Sequence, residues 1–372
     1  MRIRLLPRRI DFYILNEVLG PFLGGILFFC FVFLMFQALR LADFFIIHGV
    51  SAPILAEMTA LLLLSFMPTA VPIAFFIGTL VGFGRLSADS EIVAMKANGI
   101  SIWRLAAPVS VLAVLVMFVS LGLNMQWVPQ GDRLFKSTLI RVSNTKVVTS
   151  IKEGTFTSGF FDLLIFADKV DAENNKLYRV FIYDEREPKN PMTVIAQEGE
   201  LVPVKSSTQI GTSLQLQLFR GSIHSNDAET ATYQKIDFEK YGLFLKIDEG
   251  ADNATIKPRM IPHDELQALI NKHEPGHAYR RELEAELWRR YSVALTPILF
   301  VFLGIGFGTV RTRAVRASAA LIALGVIMLY YAIQATATVA IQKSGLPPAL
   351  GMQLPNIILA VLGWKSFKSA AW

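Results

Sequence analysis

Six stretches of this chain run for nearly twenty residues or more without one charged side chain: 18–39, 58–84, 105–123, 291–310, 317–342 and 344–364. A helix that crosses a hydrocarbon layer about 30 Å thick needs roughly 20 apolar residues. Backbone N–H and C=O groups in lipid find no partners except one another, so such runs become helices. The pattern predicts six transmembrane helices, three on either side of a long polar interval. Pro68 and Pro72 fall inside the second run and predict a bend there. Composition agrees, since 53% of the 372 residues are hydrophobic and only 18% are charged, below the roughly one quarter of a soluble domain.

Lys and Arg in the short connections set the orientation. One side of the membrane receives Arg2, Arg4, Arg8 and Arg9, then Arg85, Lys96 and Arg104, then Arg311, Arg313 and Arg316, and finally Lys365 and Lys368. The other side has only Lys343 and Arg40, the latter at a helix end. Both termini are therefore expected in the cytoplasm. The formal net charge of +6 is spent on topology rather than gathered into a folded basic patch, which argues against nucleic acid as a partner. The N-terminal run continues to Gln37 without a small-residue cleavage site, so it reads as a retained helix rather than a secretion signal. Cys30 is the single cysteine, so the extracytoplasmic part must hold together by packing alone.

The expected division is residues 1–124 for the first three helices, 125–288 for a domain outside the cytoplasm, and 289–372 for the last three helices. From about 151 to 247 the polar interval alternates short apolar runs with turn signals, which is strand chemistry. LLIFADKV, DAENN and KLYRVFIYDE predict a hairpin, and PMTVIAQEGEL, SLQLQLFRGSI and YQKIDFEKYGLFLKI continue the series. In SLQLQL, Leu214, Leu216 and Leu218 alternate with Gln215 and Gln217. Many short strands with no helical periodicity between them indicate a sandwich, jelly roll or barrel. A charged helical segment from about 263 to 290 leads back to the membrane.

Residues 84–104, GRLSADSEIVAMKANGISIWR, lie on the cytoplasmic side between the second and third helices. Asp89 and Glu91 suit a first helical turn, and Asn98-Gly99 suits a stop. Ile92 and Met95 share a face. A short amphipathic helix at about 86–99, pinned between two spans, is either a solvated interfacial helix or a coupling helix that docks into a groove on a cytoplasmic ATPase. The candidate docking residues are Asp89, Ser90, Glu91, Ile92, Met95 and Gly99.

HEPGH at 273–277 matches the letters of the H-E-x-x-H zinc site. That site needs both histidines on one face of a continuous helix, and Pro275-Gly276 stands between them. Coincidence is the better account, and no metal site is assigned. Gly20-x-x-x-Gly24 and Gly304-x-x-x-Gly308 allow close helix approach without naming the partner. No Walker A pattern occurs, so the chain supplies no ATP site of its own.

Three stretches carry a family resemblance. GRLSADSEIVAMKANGIS resembles the coupling-helix signature of the lipopolysaccharide export permeases, LptF/LptG. AELWRRYSVALTPILFVFLGIGFG resembles the family's return into the fourth helix, and LPPALGMQLPNIILAVLG its sixth. The likeness covers nearly the whole chain, and the spacing G-R-L-x-A-D-S-E-x-x-A-M is closer to the LptF branch. It implies an α-helical polytopic membrane protein of six transmembrane helices with an inserted all-β, jellyroll-like periplasmic domain, seated in a bacterial inner membrane. It implies a non-catalytic half-permease that takes lipopolysaccharide from the outer leaflet and passes it through the jellyroll toward the outer membrane. The implied partners are a cytoplasmic ABC ATPase dimer that binds ATP, a paralogous six-helix LptG-like permease, and periplasmic jellyroll bridge proteins like LptC and LptA. No cofactor is implied for this chain.

In the family the coupling-helix Glu meets the ATPase, a role that maps onto Glu91. Members can carry two basic residues at the end of the first helix, where only Arg40 stands here. Arg40, Arg289 and Arg290 are candidates to pair with lipid phosphate, or they snorkel to headgroups. Leu214, Leu216, Leu218, Val180 and Ile182 either line a slot for acyl chains or form an ordinary core. Two further readings stay open: a scaffold or regulatory subunit of an ABC complex without lipid cargo, and a membrane metallohydrolase built on HEPGH.

Overall fold

A computed structural model describes residues 9–46, 51–150, 153–158, 163–171, 176–184, 192–205, 212–227, 232–245, 257–274, 276–309 and 313–371. Long helices open the chain: α1 (Arg9–Ile46), α2 (Ala52–Ala88), the short α3 (Glu91–Ala97) and α4 (Ile102–Gly122). One π turn, Leu123–Trp127, joins α4 to α5 (Val128–Ser150). Strands β1 (Phe156–Ser158), β2 (Leu163–Asp171), β3 (Lys176–Asp184), β4 (Met192–Lys205), β5 (Thr212–Asp227) and β6 (Thr232–Leu245) follow. A 3₁₀ turn at Pro258–Met260 leads into α6 (His263–Lys272), α7 (Ala278–Gly308), α8 (Arg313–Ser344) and α9 (Pro348–Ala371). The chain packs as two units: Met1–Leu41 with Thr59–Asp132 and Pro258–Trp372, and Ala42–Met58 with Arg133–Lys257. The connecting helix α6 groups with the helical unit, not with the strands.

Among the described residues, five segments are long and apolar enough to cross a membrane: Arg9–Ala38, Ala52–Ala88, Ile102–Leu139, Ala278–Gly308 and Leu321–Lys343. The expected sixth run is the helix α9, which is not among these five; Gln353, Pro355, Asn356, Lys365 and Lys368 lower its mean hydropathy. The third span is longer than its charge-free run, because α4, the π turn and α5 follow one another without a break. Both expected prolines lie inside α2.

Glycine sets the helix contacts in the helical unit. A Cβ on Gly308 would stand 2.9 Å from the Leu80 carbonyl oxygen, and one on Gly304 would stand 2.8 Å from Thr79 Cγ2, so this pair lets α7 lie against α2. Gly20 and Gly24 differ, since a Cβ on either would meet nothing within 4 Å. One buried cluster then ties α1, α2, α4, α7 and α9 together through Val18, Phe75, Val109, Ile305 and Phe367.

The six strands form one antiparallel sheet in strict sequence order, β1 to β6. The expected hairpin is β2–β3, with Ile165 opposite Ile182. Among the described residues the strands connect as an up-and-down meander. Pairing skips one row through the sheet. Asp168 and Arg179 drop out between β2 and β3, Gln197 between β3 and β4, Arg220 between β4 and β5, and Glu239 between β5 and β6. Arg179 and Arg220 hold φ of 51° there, a left-handed conformation that breaks the pleat.

The inward phase shifts by one residue across that row. In β3 Leu177 faces in before it and Val180 and Ile182 after it; in β5 Leu216 and Leu218 face in before it and Ile223 after it. Both halves thus turn apolar residues to one side, and they meet in a single buried cluster. Each large side chain so buried contributes about 1.5–3 kcal/mol, which is how a unit without disulfides holds together.

Candidate docking and substrate-path sites

The α3 segment closes as the sequence predicts, but of the two acidic residues expected in its first turn only Glu91 lies there, with Asp89 ahead of the helix. Gly99, at φ 79°, donates its N–H to the Lys96 carbonyl (2.9 Å), and Ile100 donates to the Met95 carbonyl (3.0 Å). This pair of bonds closes a helix on a left-handed glycine. Ser90, at φ 61°, turns the chain sharply into Glu91, and its side chain caps nothing. The apolar face points the other way from expectation. Ile92 is buried in the helix bundle and Met95 packs against the same cluster, so these two seat α3. Within 89–99 the exposed residues are Asp89, Ser90, Val93, Ala94, Ala97, Asn98 and Gly99. Val93 is the largest apolar side chain offered outward, and sequence periodicity alone did not single it out.

Three polar contacts tie this segment to α1. The Tyr13 hydroxyl reaches both carboxylate oxygens of Glu91, at 2.9 and 2.7 Å. Arg104 Nη2 donates to Asp11 Oδ2 at 2.7 Å, and Arg85 Nη1 stands 3.2 Å from Glu17 Oε2. Two more contacts reach α9. Lys96 Nζ donates to the Ala370 carbonyl at 2.6 Å, and Trp103 packs edge-on against Phe367 with ring centroids 4.6 Å apart. The segment between the second and third spans is therefore clamped to helices from both halves of the bundle.

A buried charge centre lies on α7. Glu286 accepts from Arg289 Nε (2.7 Å) and Nη2 (2.8 Å), and from Arg290 Nε (3.0 Å). The spacing of three and four residues puts all three on one helix face. Arg290 is 1% exposed, and its Nη2 donates to the carbonyls of Pro258, Arg259 and Ile261 at 3.0, 3.2 and 2.8 Å. Its guanidinium is thereby committed to the backbone that returns to the bundle. Arg289 lines a small cleft with Pro68, Thr69, Asn124, Val128, Arg259 and Glu286. Arg259 pairs with Asp132 at 3.1 Å and donates to the Ser65 carbonyl at 2.7 Å, and Ser65 bonds Asp132 in turn. Asn124 sits in the π turn, a distortion that recurs at functional sites. Charged groups inside a membrane bundle are costly unless paired, and mark functional positions by default. Glu286, Arg259 and Asp132 were missed in the sequence, though Glu286-x-x-Arg289-Arg290 is legible as a helical ion-pair pattern.

The other candidates fall as follows. Leu216, Leu218, Val180 and Ile182 lie together in the sheet cluster, each at most 1% exposed, so the sheet is closed over them. Leu214 is in β5 opposite Leu245, and Arg40 is in α1; their side chains lie outside the described residues, as do Arg2, Arg4, Arg8 and Arg311. HEPGH is a corner between α6 and α7. His273 Nδ1 is 2.8 Å from the Leu269 carbonyl, His277 Nδ1 accepts from the Tyr279 N–H at 3.3 Å, and Gly276 stands at φ 94° between them. Both rings serve the turn, and they do not project from one helix face as a zinc site requires.

Comparison with known proteins agrees with this architecture. The model of the lipopolysaccharide export system permease family LptF/LptG matches residues 12–369. The lipopolysaccharide export system permease protein LptF of Escherichia coli K12 is 23% identical over 94% of this chain and 92% of its own length. LptF of Shigella flexneri gives the same values, and LptG of Haemophilus influenzae is 21% identical over 80% of each chain. The match to LptF is thus longer and slightly stronger than the match to LptG. With one family model covering both helical groups and the sheet between them, this chain belongs to the LptF/LptG family of lipopolysaccharide export system permeases.

Proposed function

We propose that this chain is the LptF-like half of an inner-membrane ABC permease that moves lipopolysaccharide, with α3 as the contact to a cytoplasmic ATPase. The observation that carries the reading is the α3 segment: a seven-residue helix, seated by Ile92, exposing Asp89, Ser90, Val93 and Gly99 and clamped to both helical groups. A push on a helix held in this way reaches α1 through Glu91 and α9 through Lys96. The distribution of Lys and Arg puts α3 and both termini in the cytoplasm and the sheet in the periplasm. ATP binds to the partner ATPase, a dimer in this reading, and the chain needs no cofactor of its own.

In this proposal α9 is the sixth span. Its buried amide is tied into the bundle through its nitrogen: Asn356 Nδ2 donates to the Ser292 carbonyl (3.1 Å) and to Gln353 Oε1 (2.8 Å). Its exposed face offers Leu350, Leu354, Ile357, Val361 and Trp364, which suits lipid or the paralogous LptG-like permease. Lipid passes Arg289 in its cleft, and Arg40 is a second phosphate contact, while Arg290 anchors the returning chain. The sheet cluster opens to take acyl chains along Leu214, Leu216, Leu218, Val180 and Ile182 and hands them to a jellyroll bridge. Sheltering several chains needs a long slot, at about 0.8 kcal/mol per buried methylene.

Affinity purification from the native membrane in mild detergent tests the proposal. The expected result is an ABC ATPase, a paralogous permease and lipopolysaccharide together, with the ATPase lost in Glu91→Ala while membrane insertion is kept. Recovery of the chain without an ATPase, or ATPase without lipid as in a scaffold subunit, would overturn it.

A further inference from the structure

We infer that Tyr13 is a positioning residue for the ATPase contact: its hydroxyl fixes the Glu91 carboxylate in the geometry in which α3 docks. The inference rests on the docking role proposed for Glu91. Glu91 opens α3 directly after the left-handed Ser90. Its side chain has three rotatable bonds, and its helix offers it no cap. A carboxylate at such a position has many orientations in water, and fixing it on docking carries an entropic cost. In this chain that ordering is done beforehand. The Tyr13 hydroxyl sits 2.9 Å from one carboxylate oxygen and 2.7 Å from the other, so a single donor is shared by both. A phenol hydrogen-bonding to a carboxylate is a charge-assisted contact.

Tyr13 is 42% exposed, so the bond is presented at the surface rather than buried as a core contact. The carboxylate keeps lone pairs for an incoming basic group. Tyr13 also comes from α1, one turn ahead of Glu17, which pairs with Arg85, and close to Asp11, which pairs with Arg104. Those two ion pairs hold the ends of the 85–104 segment whether or not the phenol is present. The Tyr13 hydroxyl therefore acts on the direction of one side chain, and its loss leaves α3 in place. It also makes α1 the first helix to feel a change at Glu91, so load on the docked carboxylate passes directly into the first span.

The test is a double-mutant cycle on the native complex in mild detergent. It reads the fraction of ATPase retained on the permease and the ATPase activity of the complex. Tyr13→Phe keeps the ring and removes only the hydroxyl; it is expected to weaken retention about five- to tenfold. Glu91→Ala is expected to weaken it further, and adding Tyr13→Phe to Glu91→Ala should change nothing more, because the phenol then has nothing to position. A full Tyr13→Phe loss repeated in the Glu91→Ala background would show a separate structural role and overturn the inference. So would wild-type retention in Tyr13→Phe beside a clear loss in Glu91→Ala. Wild-type retention in Glu91→Ala itself would instead remove the docking role on which the inference stands.

Discussion

Replacing Arg290 with Met keeps most of the side-chain volume and deletes the guanidinium, which isolates its polar work. In the native chain that group is 1% exposed and serves Glu286 and the carbonyls of Pro258, Arg259 and Ile261. Removing one partner of a buried ion pair costs about 3–5 kcal/mol, and each buried carbonyl left without a donor adds about 1–3 kcal/mol. Two features hold the sum down. Glu286 keeps both bonds from Arg289, and the carbonyls belong to a short 3₁₀ turn and the residue after it, which can shift. Arg290→Met is therefore expected to cost about 3 kcal/mol, at the low end of the buried-pair range. Arg289→Met is the internal comparison: it removes two bonds to Glu286, which Arg290 still covers, for about 1–2 kcal/mol.

Titration of the purified protein with sodium dodecyl sulfate, followed by circular dichroism, measures both losses on one scale. Arg290→Met must be the more damaging of the two, with lipid binding lost in proportion to folded protein. If Arg290→Met unfolds like the wild type yet no longer holds lipid, the anchoring argument fails and Arg290 belongs to the substrate path. If Arg289→Met is the costlier change, the assignment of the three carbonyls to Arg290 is wrong.

Two further outcomes follow from packing. Gly308→Val places a Cβ 2.9 Å from a backbone oxygen of α2, which cannot rotate away, and should cost about 1–3 kcal/mol; Gly20→Val meets nothing within 4 Å and should be near neutral in thermal unfolding. Equal losses at the two sites would refute the α2–α7 contact. Leu216→Ala removes a fully buried side chain from the sheet cluster and should lower the stability of that unit by about 2–5 kcal/mol, read as faster proteolysis of the β region. An unchanged rate would mean the cluster is open rather than packed.

The apolar middles of the long helices were legible because lipid leaves the backbone no choice: a charge-free run of sufficient length can only be a helix, whereas their polar extensions and α5 (Val128–Ser150) carried no such signal. The end of α3 was legible for a similarly local reason, since a left-handed closure needs Gly99 and nothing distant. The strands were legible as strands, and SLQLQL even showed its inward side. Its phase holds only as far as Arg220, however. Beyond that residue the inward set moves to Ile223, because a left-handed residue in mid-strand turns the next side chain to the same face. No alternation pattern announces this, and the same row runs through Arg179 two strands away.

Tertiary structure also decided which polar residues meet. Tyr13 and Glu91 are 78 positions apart, and Asp132 and Arg259 belong to opposite ends of the inserted region. Their pairing depends on how α1, α2 and the returning chain pack, which hydropathy does not encode. The same holds for Ile92 and Arg290. Each has the type and spacing of an outward-facing functional residue, and each is buried by partners outside its own helix: Ile92 by the helical cluster, Arg290 by the turn at 258–261. What the sequence alone determined is what a local physical rule determines: spans, caps and strands. The direction of a side chain, and the company it keeps, came only with the packed chain.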